Sequence, residues 1–132
     1  MPKKFTLGKK ERLKSRKAIE ALFTNGKSFP VGHLRTLYRV IEEKELQLAV
    51  GVSARHFKKA VERNRIKRLI KESYRLEKLP LKDKLLELQK GLHVFISYTG
   101  RTIPTFQEIR AGVLTVINKL VKTIHENSAT HT

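Results

Sequence analysis

One stretch of the chain carries side chains whose chemistry suits phosphate groups. Residues 55–75 hold nine Lys and Arg residues against only two acids, Glu62 and Glu72, which leaves a local net charge of +7. The nine cations are Arg55, Lys58, Lys59, Arg63, Arg65, Lys67, Arg68, Lys71 and Arg75. Guanidinium groups form paired hydrogen bonds with phosphate oxygens, so an Arg-rich segment of this kind indicates a binding site for a phosphate-bearing polymer.

A second basic segment lies at the start of the chain. Residues 1–17 hold eight basic residues and a single acid, Glu11, for another net +7. The two segments together supply 14 of the 17 excess charges of the whole chain, and the other 94 residues are nearly balanced. A positive field this local is typical of a binding face, and its partner is expected to be nucleic acid or an anionic membrane surface.

Residues that could support catalysis by the protein itself are scarce. The chain has no cysteine, which excludes disulfides, Cys-ligated zinc and thiol catalysis. None of the five histidines forms a pair at metal-ligand spacing, so we expect no metal site in the protein. Gly26-Lys27-Ser28 ends like a phosphate-binding P-loop, but Ala21 stands where the first glycine is required. These patterns predict a binding protein without a catalytic residue, and they make a stand-alone nuclease improbable.

The composition also bears on location. No run approaches the roughly 20 apolar residues that a membrane span requires, and no apolar segment of signal-peptide length follows the basic N-terminus. We therefore expect a cytoplasmic protein that is neither exported nor inserted into a membrane. A basic amphipathic helix can lie on a lipid surface, but only when its apolar side is not covered by a protein core.

The basic segment 55–75 must be positioned by a helix, which we predict over 58–79. Its apolar stripe has helical spacing and consists of Ile66, Leu69, Ile70, Ser73 and Tyr74. The opposite side carries Asn64, Lys67, Arg68, Lys71 and Arg75, flanked by Arg63 and Arg65. A merely solvated face is the alternative, but such faces usually mix acids with bases at i,i+4 spacing. The shortage of acids favours a binding face.

The remaining pattern predicts a small mixed domain. We expect a helix over 15–25 capped by Ser15, strands over 33–41 and 46–52 joined as an antiparallel hairpin, a buried strand over 93–98, and a final helix after the Thr105/Glu108 capping box. Pro80 should end the long helix or restart the chain as a new one. The whole chain, 1–132, is then one domain with flexible tails at about 1–10 and 126–132. The fold class is an α/β (α+β) two-layer sandwich, a small mixed sheet with helices on one face.

The residues from Ala60 to Arg75 closely resemble a known signature. The run Ala-Val-Glu-Arg63-Asn64-Arg65-Ile-Lys67-Arg68 resembles the RNR motif of the bacterial ribonuclease P protein subunit family. The resemblance extends to Arg12-Leu13, to the Phe23…Gly26 helix end, to Leu37-Tyr38 and to Val94-Phe95-Ile96.

The resemblance implies both a fold and a function. The fold would be like the second domain of ribosomal protein S5, with a left-handed βαβ crossover. The function would be that of the non-catalytic protein component of ribonuclease P, an endoribonuclease that removes the 5′ leader of precursor tRNA. Its catalytic RNA subunit and Mg²⁺ held by RNA and substrate would perform the hydrolysis. A ribosomal or other structured-RNA-binding protein of the same fold is the alternative.

The resemblance also assigns residues to two surfaces of a protein that acts as a monomer beside the RNA. Arg63, Asn64, Arg65, Lys67 and Arg68 would face the catalytic RNA, with the other cations of 55–75 extending that surface. The 5′ leader would lie in a groove between the first helix and the sheet, lined by Ile19, Phe23 and Tyr38 together with Leu13, and with Arg12 and Arg35 at its edges. Ile19 stands where the family often has an aromatic residue.

Overall fold

The computed structural model describes the backbone of residues 9–130 and the side-chain surroundings of residues 10–126. A short 3-10 turn, Lys9–Glu11, precedes four helices and four strands. In chain order these are α1 (Arg16–Asn25), β1 (Lys27–Val31), β2 (Leu34–Ile41), β3 (Leu46–Val52), α2 (Ala60–Glu77), α3 (Leu79–Leu88), β4 (Gly91–Tyr98) and α4 (Phe106–Thr130). Of the two segments expected to form tails, residues 1–8 and 131–132 lie outside the described residues, whereas Lys9 and Lys10 belong to the 3-10 turn and 126–130 continue α4.

The four strands form one mixed sheet in the order β1-β2-β4-β3. β2 pairs antiparallel with both β1 and β4, whereas β3 pairs parallel with β4. The β3-α2-α3-β4 segment is therefore a crossover between adjacent parallel strands. The mixed α/β class expected from the sequence is confirmed, and the handedness of the crossover stays a prediction of the resemblance.

The expected hairpin between β2 and β3 was wrong, because β4 lies between these two strands. β4 is the most buried strand, and Leu92, Val94 and Ile96 have no exposed surface. A central position covers such a strand on both edges and both faces. The polar turn after β2 crosses the end of β4: the Leu92 amide donates to the Glu45 carbonyl at 2.8 Å, and a Cβ on Gly91 would collide with the Glu43 carbonyl.

β1 was not expected from the sequence. It contains Pro30, which has no amide hydrogen to donate and is tolerated in a sheet mainly at an edge. β1 is an edge strand in this sheet, and its register places Pro30 opposite Arg35 of β2. Pro30 is therefore compatible with its position in the sheet.

The helices divide between the two faces of the sheet, which corrects the expectation that all lie on one face. α2, α3 and α4 cover the face that carries Leu92, Val94 and Ile96, and they form the main core with it. Phe95 points to the other face because side chains alternate along a strand. Its ring contacts Phe23 of α1, so α1 lies on that second face.

Local sequence signals account for the ends of the helices. The Ser15 hydroxyl accepts a hydrogen bond from the Ala18 amide at 3.2 Å and starts α1. At α4, the Thr105 hydroxyl accepts from the Glu108 amide at 3.1 Å, and the Glu108 carboxylate accepts from the Thr105 amide at 3.2 Å. Pro80 occupies the first turn of α3, which shows that the chain restarts there as a new helix.

Candidate nucleic-acid interface

α2 has the orientation that its periodicity predicted. Ile66 and Ile70 have no exposed surface and Tyr74 has 1%, so this stripe faces the core. Arg65, Arg68 and Lys71 are exposed on the other side of the helix, together with Asn64, and Lys67 is half-buried. The 3.6-residue period therefore separates apolar from cationic residues and presents the cations to solvent.

Acidic side chains do not neutralise this surface within the part of the chain that the structure describes. Five ion pairs occur there, and their acids are Glu11, Glu42, Glu45, Glu77 and Glu87. Their basic partners are Lys78, Lys90, His93, Arg110 and Lys84, all outside the exposed cations of α2. The acids therefore stabilise the fold elsewhere and leave the positive field of α2 available to a polyanion.

The N-terminal basic segment lies beside α2. Leu13 donates its amide hydrogen to the Leu48 carbonyl at 2.9 Å, and Arg12 forms a parallel bridge with Leu48 at the outer edge of β3. Glu11, which precedes Arg12, forms an ion pair with Lys78 at the end of α2. The segment is thus attached both to the sheet edge and to the helix that carries the other basic segment.

The pKa of Lys71 indicates that the two basic segments lie close together. Partial burial lowers the pKa of the Lys71 ammonium, and the nearby positive charges of Arg12 and Lys67 lower that pKa further. Like charges held together in this way are relieved by a bound anion. Arg12, which the resemblance assigned to the edge of the leader groove, therefore also belongs electrostatically to the surface of α2.

The loop between β3 and α2 adds three exposed cations, Arg55, Lys58 and Lys59. Its turn is closed by the Arg55 amide, which donates to the Ser53 hydroxyl at 3.2 Å. Phe57 is 4% exposed, and its ring lies 6.1 Å from that of Tyr98. The loop is therefore anchored through Phe57 while its cations remain in solvent.

Two cations of 55–75 differ from the exposed set. Arg63 is half-buried, and its Nη1 donates to the carbonyl oxygens of Phe57 and Lys58. Arg75 is also half-buried. The helical wheel predicted the positions of both residues around α2, but it carried no information on which of them contact the protein itself.

The second surface is the sheet face that carries α1. Phe23 is 58% exposed, and its ring packs edge-on against Phe95 with centroids 5.2 Å apart and an interplanar angle of 62°. Gly51 leaves room for this pair, because a Cβ there would lie 2.8 Å from Cζ of Phe95. Phe23 is thus exposed above the half-buried Phe95, and aromatic rings in such a position can stack with unpaired bases.

The groove residues expected from the resemblance do not all lie together. Ile19 is half-buried on α1, one turn before Phe23, and Arg35 is exposed on β2 on the same sheet face as Phe95. Leu13 is 5% exposed and serves as an apolar anchor for the N-terminal segment.

The placement of Tyr38 in this groove was wrong. Its backbone pairs with Val94, so its side chain shares the face of the main core, where it packs against Phe29 with ring centroids 5.9 Å apart. Phe95 was not expected on the face that α1 covers, because the pattern over 93–98 predicts a buried strand. The alternation along that strand was the available signal.

A metal cluster and a membrane-spanning helix are both absent from the described residues. These residues include no group of three or more His, Cys, Asp or Glu side chains that could hold a metal ion. None of the helices within residues 9–130 is long and apolar enough to span a bilayer.

Comparison with known proteins agrees with this architecture. The ribonuclease P family model matches residues 7–121. The ribonuclease P protein component of Porphyromonas gingivalis (strain ATCC BAA-308 / W83) is 38% identical over 115 residues, which cover 85% of this chain and 84% of that protein. The corresponding protein of Clostridium kluyveri is 36% identical over 110 residues, covering 82% and 92% of the two chains.

A solved structure shows the same fold. The RNase P protein from Thermotoga maritima superposes with a TM-score of 0.66 at 23% identity, over 83% of this chain and 96% of that chain. Both the family match and the identity to curated relatives extend over most of the sequence. The chain therefore belongs to the ribonuclease P protein component family.

Proposed function

We propose that this chain is the protein subunit of a ribonuclease P holoenzyme and assists a catalytic RNA in the endonucleolytic removal of the 5′ leader from precursor tRNA. It acts as a monomer beside the RNA, in the cytoplasm. Membership in the family supports this role, and the two surfaces described above supply a physical account of it.

The exposed side of α2 docks on the catalytic RNA. The observation that carries this assignment is a cationic surface without carboxylate partners among the described residues, built from Arg65, Lys67, Arg68 and Lys71. Such a surface releases counterions from RNA phosphates when it binds, which makes the affinity steeply dependent on salt. Asn64 contributes amide hydrogen bonds, Arg75 extends the surface, and Arg55, Lys58 and Lys59 continue it into the preceding loop.

The face beneath α1 holds the 5′ leader. Phe23 and Phe95 offer ring faces and edges to unpaired bases, and Arg35 supplies a cation beside them. Ile19 provides an apolar side to the groove, while Leu13 fixes the N-terminal segment that brings Arg12 near its edge. Single-stranded RNA suits this groove because its bases are free to stack.

The phosphodiester hydrolysis itself belongs to the RNA. Mg²⁺ ions bound by the catalytic RNA and the substrate would supply the activated water and the charge stabilisation. The contribution of the protein is electrostatic and positional: α2 lowers the repulsion between phosphates that the folded RNA brings together, and the groove holds the leader in place.

Reconstitution tests this function. The purified chain should not cleave precursor tRNA alone, but it should lower the Mg²⁺ requirement of the catalytic RNA or raise its affinity for leader-bearing substrate. Cleavage rates are measured at low and high Mg²⁺ with and without the chain, using a leaderless tRNA as the binding control. If the chain has no effect on that RNA at low Mg²⁺, the proposal fails, and a structured-RNA-binding role of the same fold takes its place.

A further inference from the structure

Arg63 is bound to the protein in a way that separates it from the exposed cations of α2. One nitrogen of its guanidinium, Nη1, donates to the carbonyl oxygen of Phe57 at 2.7 Å and to that of Lys58 at 2.8 Å. The two acceptors belong to consecutive residues of the loop that leads into α2. A terminal guanidinium nitrogen has two hydrogens, so both are used within the protein.

These two hydrogen bonds of Arg63 act at the start of α2. Lys59 occupies the N-cap position in an extended conformation, and its side chain makes no capping hydrogen bond. Phe57, two residues before this N-cap, is buried, whereas Lys58 and Lys59 are exposed. Arg63 therefore connects the first turn of the helix to the backbone that carries these two lysines.

We propose that Arg63 is a positioning residue: its guanidinium holds the backbone of Phe57 and Lys58 so that Lys58 and Lys59 meet the RNA in register with the cations of α2. This inference rests on the proposed function and deepens it. Arg65 and Arg68 act directly on phosphates, whereas Arg63 acts mainly through the loop. A direct phosphate contact by Arg63 is the competing account.

A double-mutant cycle distinguishes the two accounts. The full-length chain is prepared as Arg63→Met, as Lys58→Ala/Lys59→Ala and as the combination, and its affinity for the catalytic RNA transcript is measured by filter binding. Arg63→Met should weaken binding about tenfold in the native background and less than about twofold once both lysines are absent. Coupling of this size between residues that share one contact network is the signature of a positioning role.

Arg65→Met is the matched control, because it removes the same group from an exposed position of the same helix. It should weaken binding about tenfold in both backgrounds. If Arg63→Met costs the same affinity in both backgrounds, or none in the native one, the positioning role is overturned while the proposed function stands. If Arg65→Met also leaves binding unchanged, the docking surface of the proposed function fails as well.

Amide hydrogen exchange of the free protein tests whether Arg63 holds the loop, independently of RNA binding, and it separates a local change from a general loss of folding. In that variant the amides of residues 55–60 should exchange at least about tenfold faster, while those of β4 keep their protection. Arg65→Met should change neither set. Equal exchange of residues 55–60 in the native chain and Arg63→Met would overturn the proposal, because the loop would then be held without the guanidinium.

Discussion

The two candidate surfaces of this protein differ in the chemistry that they offer to RNA. α2 offers cations and few aromatic rings, with Arg65 and Arg68 in solvent. The groove beneath α1 offers the Phe23–Phe95 pair with Arg35 beside it. Phosphates repeat along any RNA, while unstacked bases occur only in single strands. Under the proposed function, α2 recognises a folded RNA by its charge and the groove recognises a single strand by its bases.

The largest expected effect tests the charge-based surface. Arg65→Ala/Arg68→Ala should weaken binding of the catalytic RNA about 100-fold and lower the slope of log K against log salt by about two, since each lost phosphate contact removes roughly one unit. The measurement is a titration at several salt concentrations. Lys82→Ala/Lys122→Ala removes the same charge from exposed positions of α3 and α4 and serves as the control. An equal loss in both variants would assign binding to net charge and not to α2.

A smaller effect is expected at the aromatic surface. Phe23→Ala should weaken binding of leader-bearing precursor tRNA to the holoenzyme about tenfold, because stacking of one base on one ring contributes roughly 1–3 kcal/mol. Its salt slope should be unchanged, which contrasts with the α2 variant. Leu86→Ala, at a position that is 68% exposed on α3, controls for the loss of an exposed apolar side chain. A comparable loss with leaderless tRNA would argue against the groove as the leader site.

The smallest effect is expected at Lys71, where the two basic segments lie close together, and it changes protein stability and RNA binding in opposite directions. Partial burial, together with Arg12 and Lys67, lowers the pKa of Lys71, so its charge destabilises the folded protein at neutral pH. Lys71→Met should therefore raise the unfolding midpoint by about 1–2 °C while it weakens RNA binding.

The pH dependence of this gain follows from the direction of the pKa shift. Because the folded state holds the Lys71 proton less tightly than the unfolded state, the cost of the charge is full below the lowered pKa and fades as pH rises through it. Thermal unfolding of both proteins at neutral and alkaline pH measures the difference. A gain that persists unchanged at alkaline pH would mean that lost charge is not its cause.

Local patterns predicted the elements that depend on neighbours in the chain. Ser15 and the Thr105/Glu108 pair start α1 and α4 as expected, and the spacing of Ile66, Ile70 and Tyr74 oriented α2. These features succeed because a cap or a helical stripe is decided within a few residues. The RNR-like run then linked the orientation of α2 to a family.

Tertiary pairing decided what such patterns do not contain. The insertion of β4 between β2 and β3, the placement of α1 on the second face and the burial of Tyr38 depend on which strands meet across long sequence separations. The same holds for Arg12 beside Lys71 and for Phe95 beneath Phe23.

The sequence by itself determined that this protein has a cationic helix, because charge and period are properties of the chain, and the same charge predicted a polyanionic partner. The tertiary structure alone decided which cations remain in solvent. Arg63 and Arg65 are two residues apart and chemically identical, yet only Arg63 binds loop carbonyls. The physical reason is that a hydrogen bond between side chain and backbone depends on the path of the loop, which packing of Phe57 against the core holds in place.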